Sequence, residues 1–188
     1  MPSTADDWST RHSVLTNARR AAALVNALTD DDPDPGEVAG VLYAYGESGT
    51  IDLTPQDLAE MRTAAARLRD VFAATDADGA ATALNRLLRE HTGPLRLTAH
   101  GGDSPWHPHI DHDDAPWGAW LLASSCLALT VLVWDRQRPP GRICASPSCP
   151  DVFINQGSGP DRRYCSRRCA TRERVAAHRR QQAEAAPR

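Results

Sequence analysis

The carboxy-terminal quarter of the chain holds four cysteines in two closely spaced pairs. Four residues separate Cys144 from Cys149, three separate Cys165 from Cys169, and fifteen lie between the pairs. Zinc prefers four thiolate ligands at tetrahedral corners about 2.3 Å away, and two such pairs joined by a hairpin-sized insert can supply them. The spacing therefore predicts one zinc ion bound by all four cysteines. Such a closed site is structural, because no coordination position stays open for catalysis.

Two disulfides or four ordinary thiols are the alternative interpretation of the four cysteines. Disulfide frameworks are typical of secreted chains, whereas residues 1–16 are polar and lack the apolar segment of a signal peptide. We therefore expect a cytoplasmic, reducing location. The fifth cysteine, Cys126, lies among leucines and is predicted to be a core thiol.

Secondary-structure signals around the cysteines predict a treble-clef-like finger, made of a knuckle, a hairpin and a helix. The apolar run 152–154 is expected to pair with 162–164 as two short strands. Cys165 and Cys169 are four residues apart and would share one face of a helix. No glycine or proline interrupts that helix as far as Glu184.

Residues 14–136, upstream of a Pro-Pro-Gly break, are predicted to form a mainly helical body with a small antiparallel sheet. Residues 95–100 alternate between apolar and polar, which predicts a strand paired as a hairpin with 107–112. With the finger at 141–184, the expected fold class is mainly α (α+β) in two domains. Apolar residues recur at helical spacing in four segments, which begin near Thr16, Gly36, Thr54 and Asp78.

The run from Ala115 to Trp134 is the main ambiguity of the body. Its twenty residues carry no charge and have tryptophans near both ends, as a membrane span would. The run also contains a proline, a glycine and three hydroxyl residues, which argue against a membrane span. A helical body also needs a central element that is apolar all round. We therefore predict a buried core helix and no membrane partner.

Charge is divided unevenly along the chain. All 21 basic residues are arginines, against 24 acids. Residues 161–188 hold nine arginines and three acids, whereas residues 1–160 hold 12 arginines and 21 acids. An acidic body with a basic appendage is typical of a chain that binds a polyanion through the appendage.

The basic side chains of the finger are predicted to face double-stranded DNA. At 100° per residue, those of the helix fall mostly on an arc away from Cys165 and Cys169. Arginine forks suit bidentate contact with phosphates and guanine edges. The residues predicted to contact DNA are Arg162, Arg163, Arg167, Arg168, Thr171, Arg172, Arg174, His178 and Arg179.

Two other interpretations of this basic cluster stay open. The first is that arginines near the ligands offset the net negative charge of a four-thiolate zinc site. The second is that the helix docks onto an acidic protein, which would make the chain an adaptor. The candidates for charge offset are Arg162, Arg163, Arg167 and Arg168.

A run of residues around the four cysteines carries a family resemblance. It comprises the Cys-x4-Cys pair, Phe153, the segment Arg162-Arg163-Tyr164-Cys165-Ser166, and then Cys169 and Arg172. This run resembles the CGNR zinc finger, a bacterial family associated with transcription regulation. In that family the last ligand opens a Cys-Gly-Asn-Arg signature. Here the tetrad at 169–172 reads Cys-Ala-Thr-Arg, so the ligand and the arginine match while alanine and threonine replace glycine and asparagine.

The resemblance implies a regulator whose body is a sensor. Family members carry an amino-terminal ABATE domain, mostly helical with a small antiparallel sheet, and the order of elements predicted here is similar. A small-molecule effector is one implied partner, and Trp106, Trp117 and Trp120 are candidates to line its pocket. Because one finger buries only roughly 600–1,000 Å² on DNA, a homodimer is a further expected partner.

A cluster of histidines and aspartates at 100–114 points to a different chemistry. His107 and His109 would share one face of a strand, in the same segment as His100 and His112. With a carboxylate, they could hold a second, first-row metal ion, as in a metal-dependent enzyme or a metal sensor. Hairpin loops rich in these residues also occur without a ligand. No nucleophile motif or phosphate-binding glycine loop accompanies the cluster, so we expect no enzyme.

Overall fold

The chain is built from six α-helices and two small antiparallel sheets within residues 13–102, 105–112, 114–155 and 161–185, which the computed structural model describes. The helices are α1 (Val14–Ala27), α2 (Pro35–Ala44), α3 (Pro55–Ala73), α4 (Ala77–His91), α5 (Trp117–Arg136) and α6 (Arg167–Ala185). The strands are β1 (Arg96–Thr98), β2 (His107–His109), β3 (Gly141–Ile143) and β4 (Val152–Ile154). This architecture confirms the predicted fold class.

Short polar side chains begin the first four helices, because their oxygens accept hydrogen bonds from otherwise unpaired backbone N–H groups. At α3, Thr54 and Asp57 form a reciprocal capping box, followed by a proline in the first turn. The α1 helix begins earlier than predicted, since Ser13 is the cap and Thr16 supplies the N–H that it accepts. The capping residues are Ser13, Asp34, Thr54 and Asp76.

The α5 helix lies at the centre of the body, in contact with α1, α3 and α4. Gly118 lies so close to α3 that a Cβ atom there would be 2.8 Å from the backbone of Glu60. Among the described residues, α5 is the one helix that is long and apolar enough to cross a membrane by length and composition. Its position among three helices is that of the predicted core helix, and its glycine serves close helix packing.

The β1 and β2 strands form the predicted hairpin. Arg96 pairs with His109 and Thr98 with His107. The base of the hairpin is closed by a 2.7 Å hydrogen bond from the Gly93 N–H to the carbonyl oxygen of Ile110. Ile110 is buried in the helical core and so attaches the hairpin to the body.

The second hairpin differs from the prediction. The β4 strand pairs with β3, with Arg142 opposite Phe153, and not with residues 162–164. The Cys144–Cys149 knuckle forms the turn between these two strands, and the Cys144 N–H closes it by donating to the Asp151 carbonyl oxygen at 2.8 Å. Residues 162–164 form neither a helix nor a strand.

The hairpin of the finger packs onto the helical body. Val152 and Ile154 are buried in the same apolar core as the helices. The side chain of Asn26 in α1 bonds to the Val152 backbone twice, donating to its carbonyl oxygen at 3.0 Å and accepting from its N–H at 2.7 Å. Arg69 of α3 donates to the Pro150 carbonyl oxygen at 2.6 Å. The first half of the finger therefore shares the core of the body. The division into two domains, 14–136 and 141–184, stays a prediction.

Candidate metal centre and basic helix

Three elements bring the four cysteines to one point. Cys144 follows β3, Cys149 ends the knuckle, and Cys165 and Cys169 lie just before and within the first turn of α6. All four Sγ atoms lie within 4.8 Å of one another. The Cys165 sulfur is 3.6 Å from both the Cys149 and the Cys169 sulfur. Sulfurs at tetrahedral corners around zinc lie about 3.8 Å apart, so the four thiols fit one structural zinc ion.

The alternative of two disulfides does not match this geometry. All five cysteines are free thiols. A disulfide would hold its sulfurs about 2.05 Å apart, far closer than the 3.6 Å between Cys165 and its neighbours. Cys126 is fully buried in α5, where burial raises the pKa of its thiol to about 12, as expected of a core thiol.

Hydrogen bonds and burial set different acidities for the ligand thiols. The Ser166 hydroxyl lowers the pKa of Cys169, which lies in the first turn of α6. Burial raises the pKa of Cys149 to about 11 and that of Cys165 well above its usual range. Two of the ligands are therefore neutral thiols at pH 7 without a metal. Zinc binding must displace their protons, so zinc affinity is expected to fall as the pH falls.

A polar network outside the sulfurs supports the site. Arg172 donates to the Cys169 sulfur at 3.4 Å and to the Ser146 hydroxyl at 2.8 Å. That hydroxyl, itself buried in the knuckle, donates to the Glu173 carboxylate at 2.6 Å. Arg172 thus places positive charge beside a ligand sulfur and connects the knuckle to α6. Hydrogen bonds of this kind, from residues outside the ligand set, orient metal ligands.

In the described residues, the four arginines expected to offset the thiolate charge make no contact with a ligand sulfur. Arg162 donates to the Ile154 carbonyl oxygen at 3.0 Å and stacks over Phe153. Arg163 lies over the Tyr164 ring, 5.8 Å from its centre. Arg167 and Arg168 are exposed on the first turn of α6. The guanidinium that contacts a ligand sulfur is that of Arg172, one turn further along.

Asp161 holds the segment that enters the second pair of cysteines. Its carboxylate accepts hydrogen bonds from Arg138 at 3.2 Å, from Arg142 at 2.6 Å and from the Asn155 amide at 2.7 Å. These contacts join Arg142 of β3 and the residue that follows β4 to the residue before Arg162. The Asp161 carboxylate is therefore already paired with groups of this chain.

The nine residues predicted to contact DNA are all exposed. Seven lie on α6, and only Cys169 on that helix is buried among the described side chains. Arg172 differs from the other eight residues, because its guanidinium also contacts the Cys169 sulfur at the metal site. Thr171 accepts a 3.4 Å hydrogen bond from Arg174, and His178 contacts Gln182 at 3.0 Å.

Three residues of this region were not predicted. Ser146 and Glu173 complete the network around the metal site, and Arg180 is another exposed cation on α6. Glu173 had a signal, because it is the only acid of the helix before Glu184. Arg180 could have been included among the predicted cations, because it is an arginine within the same basic helix. Ser146 had no signal, since its role depends on how the knuckle meets α6.

The second predicted cluster is only partly assembled in the described residues. His107 and His109 do lie on one face of β2, with Nε2 atoms 3.0 Å apart. Asp103 and Asp113, and the side chain of His100, lie outside the described residues. Within the described part of the chain, the four cysteines are the only group of three or more metal-ligating side chains that gathers.

The fold and the thiolate site define a four-cysteine zinc-finger protein with a helical body. Residues 141–182 match the family model of the CGNR zinc finger, and this segment is a CGNR zinc finger. That match confirms the resemblance read from the cysteine spacing and the Arg-Arg-Tyr-Cys-Ser run. It covers the finger and not the helical body. No curated protein matches the chain. The CGNR zinc finger family is not an enzyme family.

Titrating thiols with a coloured disulfide reagent is expected to distinguish the site from the core. Zinc-loaded native protein should show no fast-reacting thiol, because zinc shields four sulfurs and Cys126 is fully buried. Adding a chelator should expose four thiols, and denaturant should expose the fifth. Fast reaction of Cys126 in the native state, or fewer than four thiols after chelation, would contradict the assignment.

Proposed function

We propose that this chain is a DNA-binding transcription regulator. The zinc site fixes the beginning of α6, and the exposed arginines of that helix meet the DNA. The body acts as a ligand-sensing or dimerisation module. The observation that supports the proposal most is the exposed cationic surface of α6.

Among the described side chains, two carboxylates near this surface are already occupied. Asp161 accepts from Arg138 and Arg142, and Glu173 accepts from Ser146 and lies 3.8 Å from Arg172. The α6 arginines that remain exposed in the described residues are therefore available to an external polyanion. They are Arg167, Arg168, Arg174, Arg179 and Arg180.

The size and chemistry of α6 suit duplex DNA. Its 19 residues span about 28 Å, and a helix of ordinary diameter fits the major groove, which is about 12 Å wide. Arginine supplies both bidentate phosphate contacts and guanine recognition. In this proposal phosphate contacts dominate affinity, and a few side chains on the exposed arc read bases. Thr171 and His178 are exposed on the same helix, and Arg162 and Arg163 are exposed just before it, while Arg172 mainly serves the metal site.

The test of the proposal combines salt dependence with a double substitution. Arg167 and Arg174 are seven residues apart, two turns along one exposed face. Arg167→Ala with Arg174→Ala should weaken duplex binding at least about tenfold at 0.1 M salt and reduce the log–log salt slope by about 2, since each phosphate contact contributes about 0.9. Binding is measured by fluorescence anisotropy. The melting temperature should stay nearly unchanged, because neither side chain contacts the zinc ligands.

A matched pair of exposed arginines on the body is the control. Arg67→Ala with Arg89→Ala removes the same charge from α3 and α4, and should leave the slope unchanged. A salt-independent affinity, equal binding to an acidic protein, or an equal loss in the control variant would overturn the proposal. Selection from a random DNA pool then separates sequence-directed binding from general polyanion binding.

A further inference from the structure

A cavity opens between β2, α1 and α5 in the helical body. Its volume is about 320 Å³, at the small end of the range of about 300–1,000 Å³ that is typical of ligand sites. Of the three tryptophans proposed to line a pocket, Trp120 lines this cavity. Trp117 packs nearly perpendicular to Trp120, with ring centres 5.3 Å apart, and Trp106 is 73% exposed. The walls combine apolar and charged side chains, among them Ile110, Leu127, Arg20, Glu47 and Asp111.

Arg20 is a charged residue of α1 that is only 6% exposed. Its guanidinium lies over the Trp120 ring, 4.5 Å from the ring centre, and one nitrogen donates to a Glu47 carboxylate oxygen at 2.7 Å. A guanidinium carries five N–H donors, and no other group among the described residues accepts a hydrogen bond from Arg20. Buried donors are normally hydrogen-bonded, so water or a bound molecule in the cavity has to supply the missing acceptors.

Two neighbours of Arg20 also have polar atoms that are open to a ligand. Asn17 lies three residues before Arg20, on the same face of α1, and it lines the cavity. Within the described part of the chain, its side-chain amide has no hydrogen bond, and neither has the second carboxylate oxygen of Glu47. Donors on α1 therefore lie beside an acceptor of Glu47. A molecule with an acceptor group and a donor group close together would satisfy all three side chains.

The charges of the cavity favour a ligand that carries both signs. The fixed charges of its described walls are one guanidinium and two carboxylates, those of Arg20, Glu47 and Asp111. Burial lowers the pKa of Arg20, and the Glu47 carboxylate opposes this only in part, so a further anionic group beside the guanidinium would be favourable. A ligand with negative charge alone would add to the two carboxylates. A ligand with positive charge alone would leave the donors of Arg20 without an acceptor.

We propose that this cavity binds a small α-amino acid with an apolar side chain. The carboxylate of the ligand accepts from Arg20 and Asn17, its ammonium donates to Glu47, and its side chain packs against Ile110 and Leu127. Arginine binds carboxylates strongly because its charged N–H groups can donate in pairs. The paired atoms of Arg20 and Glu47 are 2.7 Å apart, which suits two opposite charges attached to one carbon atom.

Amino-acid binding deepens the ligand-sensing role of the body, and its regulatory meaning rests on the proposed function. The binding itself depends only on the cavity. A direct binding measurement on the full chain therefore tests the site without DNA.

The experiment titrates single amino acids into the full, zinc-loaded chain by isothermal calorimetry. L-leucine and L-phenylalanine are the probes, and at least one should bind with a Kd below about 1 mM. Analogues test the two charges separately, since isocaproate and hydrocinnamate lack the ammonium, while isoamylamine and phenethylamine lack the carboxylate. Each analogue should bind at least about tenfold more weakly than its parent amino acid, because it leaves charged groups of the site unpaired.

Three single substitutions test the residues of the site. Arg20→Lys keeps the charge but loses the planar pair of donors, Glu47→Gln removes the charged acceptor, and Asn17→Ala removes the amide. Each should weaken binding of the tighter probe at least about tenfold. Asn17 and Glu47 are partly exposed, so their variants test the site even where replacing the buried Arg20 prevents folding. Thermal melts check that each variant is folded.

Glu37→Gln is the matched control, because Glu37 is exposed on α2 and does not line the cavity. It should bind the probe as the wild-type chain does. A Kd above about 1 mM for both probes, an analogue that binds as tightly as its parent, or unchanged affinity in Glu47→Gln would overturn the proposal. A negative result here leaves the DNA-binding test unaffected, and failure of the DNA-binding test leaves this site unaffected.

Discussion

Cys169→Ser is expected to abolish tight zinc binding and to unfold the carboxy-terminal helix. Cys169 is the only buried residue among the described side chains of α6, and its sulfur lies 3.6 Å from that of Cys165. Without zinc, α6 has little else to hold it, because most of its side chains are exposed and isolated polar helices are marginal in water. Structural zinc contributes about 10–16 kcal/mol to folding in finger peptides, so losing a ligand is expected to be among the largest single effects in this chain.

Two measurements test this expectation. Elemental analysis of purified variant should find less than one zinc in the finger, and circular dichroism should show a loss of helix matching the 19 residues of α6. The control is Cys126→Ala, which also removes a buried cysteine but lies in α5. It should keep its zinc while losing some stability through a small core cavity. Full zinc content in Cys169→Ser would contradict the four-thiolate site.

The metal site could be predicted because its signal is local. Zinc requires particular atoms at short sequence separations, and Cys144, Cys149, Cys165 and Cys169 satisfy that requirement whatever the body does. The helices were predicted for a similar reason, since capping residues and apolar spacing act within a few turns. The capping box at Thr54 is an example that needed no tertiary information.

The contacts that join the finger to the body could not be predicted. Asn26 pairs with Val152 across 126 residues of sequence, and an asparagine in a helix gives no sign of such a partner. The β3 strand is three residues long, and proline and glycine at its beginning read as a break instead of a strand. The wrong partner for β4 followed, because the residues of 162–164 were the nearest visible candidate.

The prediction also gave an incomplete account of the basic surface. It grouped Arg172 with the outward arginines, although Arg172 follows Cys169 by three residues and so lies on the same face of the helix. In the structure it donates to the Cys169 sulfur and to Ser146. The resemblance to the CGNR signature had already singled out this arginine, and its contact with the ligand sulfur gives a physical reason for an arginine at that position.

Gly141→Ala is expected to destabilise the whole chain by about 3 kcal/mol or more. Gly141 begins β3 where the finger hairpin meets the body. A Cβ atom there would overlap the Phe153 carbonyl oxygen on the paired strand and lie 2.8 Å from the buried ring of Phe72. Neither neighbour can move easily, because one is backbone in a hairpin and the other is in the core. Overpacking of this kind usually costs about 1–3 kcal/mol, and a backbone clash places this substitution at the upper end or above.

Gly40→Ala is the matched control, since the same methyl group is added inside α2 with no atom within 4 Å. It should stabilise the protein by about 0.5–1 kcal/mol, as alanine does over glycine in a helix. Thermal unfolding measures both variants, and about 3 kcal/mol corresponds to a decrease of roughly 6–12 °C for a chain of this size. Because Val152 and Ile154 share the core with the helices, Gly141→Ala should lower the unfolding temperature of the body as well as that of the finger. A body that melts at its original temperature would contradict this expectation. It would mean that the finger and the helical body unfold independently.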